Sequence, residues 1–140
     1  EGLWKKWSKE NPDFINSDIK ETYTRYAKSL IQVGAKSGED FNTGLLFELI
    51  ALNNPYGSEN KVEVLLLYDG KPNPNSQITT FHKNGNQTEI TKTKTDSNGK
   101  ATISIKDSGL FLLSSVYFKK SDNQNTDWQS LWASLTFQKQ

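Results

Sequence analysis

Thr95-Asp96-Ser97-Asn98-Gly99-Lys100-Ala101-Thr102-Ile103-Ser104-Ile105 joins a turn signal to an alternating strand within eleven residues. Asn98-Gly99 supplies residues that tolerate positive φ, and Asp96 can hydrogen-bond back to the turn backbone. Ala101, Ile103 and Ile105 point one way, Thr102 and Ser104 the other. Gly109-Leu110-Phe111-Leu112-Leu113 then opens the next strand. A strand with one greasy face, bounded by tight turns, is the building unit of an antiparallel sandwich.

Outward from that stretch, similar punctuation recurs at Asn53-Asn54-Pro55-Tyr56-Gly57, Asp69-Gly70-Lys71-Pro72, Asn84-Gly85-Asn86 and between Asp122 and Asp127. It separates seven expected strands, at about 45–52, 61–69, 76–83, 87–95, 100–106, 110–119 and 128–138. The expectation is a mainly β chain, a seven-stranded antiparallel β-sandwich. Strand 87–95 is mostly Thr, Lys and Glu and suits a sheet edge. Strands 62–68, 110–118 and 128–137 are apolar on both faces and so should be covered on both.

The second cover is expected from the N-terminus. Asp18 can cap a helix and Glu21 complete the capping box. Ile19, Tyr23, Tyr26 and Leu30 recur at helical spacing, placing a helix from about Ser17 to Tyr26, while Ser29-Leu30-Ile31-Gln32-Val33 is equally compatible with strand. Leu3, Trp4 and Trp7 suggest a shorter helical turn before Pro12. The chain thus divides into an N-terminal helical cover, 1–34, packed on a β-sandwich domain, 35–140.

Composition narrows the function. The 140 residues carry 17 Lys+Arg against 16 Asp+Glu, and Arg25 is the only arginine. Nucleic-acid binding normally shows as a basic footprint with arginine-led readout, so no nucleic-acid partner is expected. Cysteine is absent, which removes disulfides and thiolate metal sites. No apolar run approaches the roughly 20 residues of a membrane-spanning helix. The chain opens Glu1-Gly2-Leu3-Trp4 without Met or signal peptide and reads as a processed product or an excised piece.

Few residues offer chemistry. His82 is the only histidine and has no acid at ligand spacing, so the reading is an exposed strand histidine, with no metal site and no cofactor. No nucleophile elbow accompanies it, and no catalytic residues are assigned. Asp96-Ser97-Asn98-Gly99 resembles the start of a calcium loop, but Lys100 and a strand follow at once, which makes it a turn. Glu48, between apolar neighbours, is expected to be buried and to need a partner. Catalysis of a Lys–Asn isopeptide bond is one reading, weakened because the last strand has no Asn between Ser130 and Phe137. A structural ion pair between Arg25 and Glu48 is preferred. Trp128 and Trp132 share a strand face and suit either an aromatic ligand platform or the docking site of the N-terminal cover, with docking favoured.

Tyr23-Thr24-Arg25-Tyr26-Ala27-Lys28, Leu46-Phe47-Glu48-Leu49 through Asn54-Pro55-Tyr56, Leu67-Tyr68-Asp69-Gly70-Lys71-Pro72, Thr95 to Gly99 and Asp127-Trp128 to Phe137 together resemble the C-terminal part of a family of exported bacterial proteins of unassigned biochemistry. Some of its members are labelled periplasmic component of a cobalt or nickel uptake system. The resemblance implies a prealbumin-like or carboxypeptidase-regulatory-like sandwich and a periplasmic location. The family's N-terminal His-x-Trp motif has no counterpart in this chain. The expected function is a non-catalytic periplasmic accessory or binding module serving transition-metal uptake, with a transporter component or another protein as partner. The alternative is a carbohydrate-binding or cell-surface adhesion module; an enzyme is not expected.

Overall fold

A computed structural model of the chain describes residues 8–10, 12, 18–34 and 38–139. It is mainly β. Among the described residues nine strands run in chain order: β1 (Glu21–Ser29), β2 (Phe47–Ala51), β3 (Lys61–Tyr68), β4 (Lys71–Pro72), β5 (Gln77–Asn84), β6 (Gln87–Lys94), β7 (Lys100–Ser104), β8 (Gly109–Lys120) and β9 (Trp128–Lys139). One sheet has the order β1-β9-β8-β5-β6, and in the other β2, β4 and β7 all pair with β3. The pairings of β3 with β2, β4 and β7, and of β5 with β6 and β8, are antiparallel.

All seven expected strands are present, and β4 and β1 raise the count to nine. β1 replaces the expected helix. Spacing misled here because Tyr26 and Leu30 share a face at either period. Tyr23 discriminates between them, and it is 64% exposed. Thr24, Tyr26 and Lys28 are half-buried while their odd-numbered neighbours are exposed, the alternation of a strand rich in Thr and Tyr. Among the described residues the only α-helical ones are 8–10, before Pro12. The expected contribution of Leu3, Trp4 and Trp7 lies outside the described residues.

The chain forms two compact units, one of residues 1–23 and 118–130, the other of 24–117 and 131–140. The boundary expected near Gly34 coincides with neither, because β1 is part of a sheet. In the larger unit one core gathers inward residues of both sheets: Phe47 and Leu49 from β2, Val62, Val64 and Leu66 from β3, Ile103 from β7, Phe111 and Leu113 from β8, and Leu131, Leu135 and Phe137 from β9. Tyr117 of β8 packs on Tyr68 of β3, ring centroids 4.6 Å apart. In the smaller unit Trp128 stacks on Phe118 at 4.8 Å, and Asp127 accepts the Lys20 amide through Oδ2 at 2.8 Å.

The turns follow their chemistry. Asp69-Gly70 joins β3 to β4 with both φ values positive, 50° and 69°, as a two-residue hairpin of type I′ demands. The turn at 95–99 departs from a hairpin, since it carries the chain from β6 in one sheet to β7 in the other. Asp96 Oδ1 accepts the amides of Asn98 and Lys100 at 2.8 and 2.9 Å. Only Gly99 takes positive φ there, and a Cβ on it would meet the Asn73 nitrogen at 2.9 Å. Asp96 Oδ1 is therefore committed to holding the turn.

Candidate functional site

β5 and β6 form a hairpin over Gly85-Asn86, and its register sets Thr80 opposite Thr91 and His82 opposite Glu89. Residues two apart on a strand share a face, so these four side chains make one polar floor. Ser104 at the end of β7, with Lys106 and Asp107 beyond it, and Phe111 of β8 complete a cleft of about 210 Å³.

The His82 ring is fixed from two directions. It stacks on Phe111 at 4.3 Å with 7° between planes, and Phe111 stacks on Phe137 in the core. Its Nε2 lies 2.9 Å from the Ser108 carbonyl oxygen. A carbonyl only accepts, so Nε2 donates and the neutral ring keeps Nδ1 as an acceptor. This approach requires glycine at 109: its φ is 141°, and a Cβ would lie 2.6 Å from the Lys83 carbonyl oxygen and 2.7 Å from His82 Nε2.

Thr80 gives the cleft its most unusual feature. The residue is 3% exposed, and its Oγ1 is the one buried side-chain N or O atom without a hydrogen-bond partner among the described residues. A buried hydroxyl left unpaired costs free energy. The lining offers donors from Lys106 and the hydroxyls, and acceptors from Glu89, Asp107 and the same hydroxyls. Among the described residues no three His, Asp or Glu side chains converge to hold a metal ion.

Sequence reasoning saw His82 without an acid nearby, whereas Glu89 faces it and Asp107 lines the same cleft. The signal was present: a two-residue turn at Gly85-Asn86 pairs Asn84 with Gln87 and therefore His82 with Glu89. Nothing comparable in the sequence brings in Ser104, Lys106 and Asp107, which arrive from the other sheet.

The expected pairing of Arg25 with Glu48 does not form. Glu48 Oε1 accepts from Lys28 Nζ at 3.0 Å and from the Thr43 amide and hydroxyl, each at 2.9 Å, while Oε2 accepts the Leu45 amide at 3.2 Å. Burial pushes this carboxyl up, but the Thr43 backbone donor, the Lys28 and Thr43 side-chain donors and the Lys28 charge together hold it below its ordinary 4.5. Arg25 and Lys28 would share a helix face, but on a strand they point to opposite sides. Arg25 instead lies over the Trp132 ring, 5.6 Å from its centroid.

Trp128 and Trp132 do not form an open aromatic row. Trp128 is 6% exposed and stacked on Phe118, whereas Trp132 is 38% exposed beneath Arg25.

A family model for a domain of unknown function, DUF4198, matches residues 1–119. The chain belongs to that family, with β9 beyond the matched span. Neither the curated proteins nor the solved structures hold a match to the chain.

Proposed function

We propose that this chain is a non-catalytic binding module that takes a small, polar, hydroxylated molecule in the His82 cleft. The observation that carries the reading is the unpaired Thr80 hydroxyl of a cleft whose other lining residues supply both donors and acceptors. The volume suits a single small ring rather than a chain. Two carboxylates and one ammonium set among hydroxyls suit a hydroxyl-rich ligand such as a monosaccharide. His82 positions rather than reacts, since its Nε2 is committed to Ser108.

The setting we propose is the periplasm, on a prealbumin-like or carboxypeptidase-regulatory-like sandwich. Both follow from the resemblance to exported proteins set out above. The same resemblance supports a second reading, an accessory module of a cobalt or nickel uptake system. In that reading the chain contacts another component of the system and does not carry the ion.

The test is titration of the isotope-labelled chain with neutral monosaccharides, Ni²⁺ and Co²⁺ separately, followed by amide chemical shifts. Sugar-dependent shifts at Thr80, His82, Glu89 and Thr91 that vanish in Thr80→Val support the module. Ion-dependent shifts at those residues would replace the sugar reading with a metal site, and a cleft silent to all probes would remove the binding reading.

A further inference from the structure

We infer that Lys28 and Asp40 condense into an intramolecular isopeptide bond, with Glu48 as the proton relay. Lys28 Nζ lies 2.8 Å from Asp40 Oδ1 and 3.0 Å from Glu48 Oε1; the side chains of Lys28, Asp40 and Glu48 are 11%, 4% and 0% exposed. An amine, a carboxyl carbon and a second carboxylate are thus in contact and shielded from water. Such contact replaces a bimolecular encounter with an oriented intramolecular one, the arrangement in which amide formation gains most from proximity.

The remaining contacts suit the chemistry. Asp40 Oδ2 accepts the Ala51 amide at 2.9 Å, a backbone donor placed where negative charge develops when Cγ is attacked. Asp40 Oδ1, the atom nearest Lys28, is also held by the Phe41 amide at 2.9 Å and is the oxygen that leaves. The Phe41 carbonyl oxygen accepts from Nζ at 3.0 Å and keeps the nitrogen against Asp40. The reading carried by Glu48 alone in the sequence was weak because it sought an Asn on the last strand. The structure supplies an Asp from the segment before β2 instead.

The step balances without a co-reactant. The Lys28 ammonium gives one proton to Asp40 Oδ1, producing an amine and a carboxylic acid. The nitrogen lone pair attacks Cγ, and the displaced electron pair rests on Oδ2 against the Ala51 amide. The nitrogen, now carrying an excess proton, passes it to Glu48 Oε1, which delivers it to the Oδ1 hydroxyl. The Cγ–Oδ1 bond breaks, one water leaves, the carbonyl reforms at Oδ2, and Glu48 ends as the carboxylate it began as. The product ties β1 to the segment leading into β2 and removes two desolvated charges, leaving Glu48 to its Thr43 and Leu45 donors.

Intact mass of the purified full chain, with tryptic mapping, decides it. The expected result is a mass one water below that of the sequence and a branched peptide joining Lys28 to Asp40. Lys28→Arg and Asp40→Ala should each return the full sequence mass. Glu48→Gln should do the same or slow the loss of water at least tenfold after denaturant refolding. A wild-type chain at full mass with separate Lys28 and Asp40 peptides would overturn the inference. So would a water loss that persists in Lys28→Arg, because it would arise elsewhere.

Discussion

Lys28 Nζ stands 3.0 Å from Glu48 Oε1, and the Glu48 side chain has no exposed surface. Four donor contacts hold that carboxylate ionised, with its folded pKa below 4.5. The unfolded state therefore binds the proton more readily than the folded one, and stability rises with pH through this range. The contribution is complete above about 4.5 and is lost as pH falls through the folded value. Glu48→Gln should flatten the acid limb of a stability–pH curve measured by urea unfolding. The same limb should be visible in Lys28→Arg, which keeps a cation beside Glu48. An unchanged limb in Glu48→Gln would mean that other carboxylates control acid unfolding.

Thr80→Val should raise stability by about 1 kcal/mol. Valine keeps the shape and removes a buried hydroxyl that no described residue satisfies. The measurement is the urea midpoint at constant m-value. A loss of stability would show that the hydroxyl is satisfied in solution, with ordered water the natural candidate.

Gly109→Ala should cost roughly 1–3 kcal/mol, since the position holds a backbone conformation that L side chains rarely adopt. The added Cβ would meet the Lys83 carbonyl oxygen and His82 Nε2. The imidazole should then leave Ser108 and its stack on Phe111, visible as a change in His82 ring-proton shifts. Retention of those shifts would show that the ring is held by Phe111 alone.

Turn chemistry made most of this fold legible. Asp69-Gly70, Gly85-Asn86 and Asp96 to Gly99 mark strand ends through backbone geometry that few residues accept, and the signal survives any tertiary context. The N-terminal strand was hidden for the opposite reason. Ile19, Tyr23, Tyr26 and Leu30 fit a helical stripe, and only the neighbouring strand β9 selects the two-residue period, through contacts such as the Leu30 amide on the Thr136 carbonyl at 2.9 Å. That one misreading moved Arg25 inward and Lys28 outward and so misassigned the partner of Glu48. The cleft was half legible. The hairpin register gives Thr80, His82, Glu89 and Thr91, but the crossing at Gly99 between sheets, which delivers Ser104, Lys106 and Asp107, looks in sequence like another hairpin.

A double-mutant cycle separates the two possible partners of Glu48. Lys28→Ala strands the buried Glu48 carboxylate, at roughly 3–5 kcal/mol when the site is dry, whereas Glu48→Ala leaves Lys28 paired with Asp40 and costs less. Removing both relieves the Glu48 carboxylate that Lys28→Ala strands, so the pair should show a coupling of about 0.5–3 kcal/mol. Arg25→Ala acts elsewhere. It removes a guanidinium from the Trp132 face, where an exposed cation–π contact contributes about 0.5–1 kcal/mol. Combined with Glu48→Ala it should be additive to within about 0.5 kcal/mol. Equilibrium unfolding of the five single and double variants against wild type supplies every term. Coupling between Arg25 and Glu48 as large as that between Lys28 and Glu48 would mean that β1 presents its odd-numbered face to Glu48, and the strand would have to be rotated by one residue.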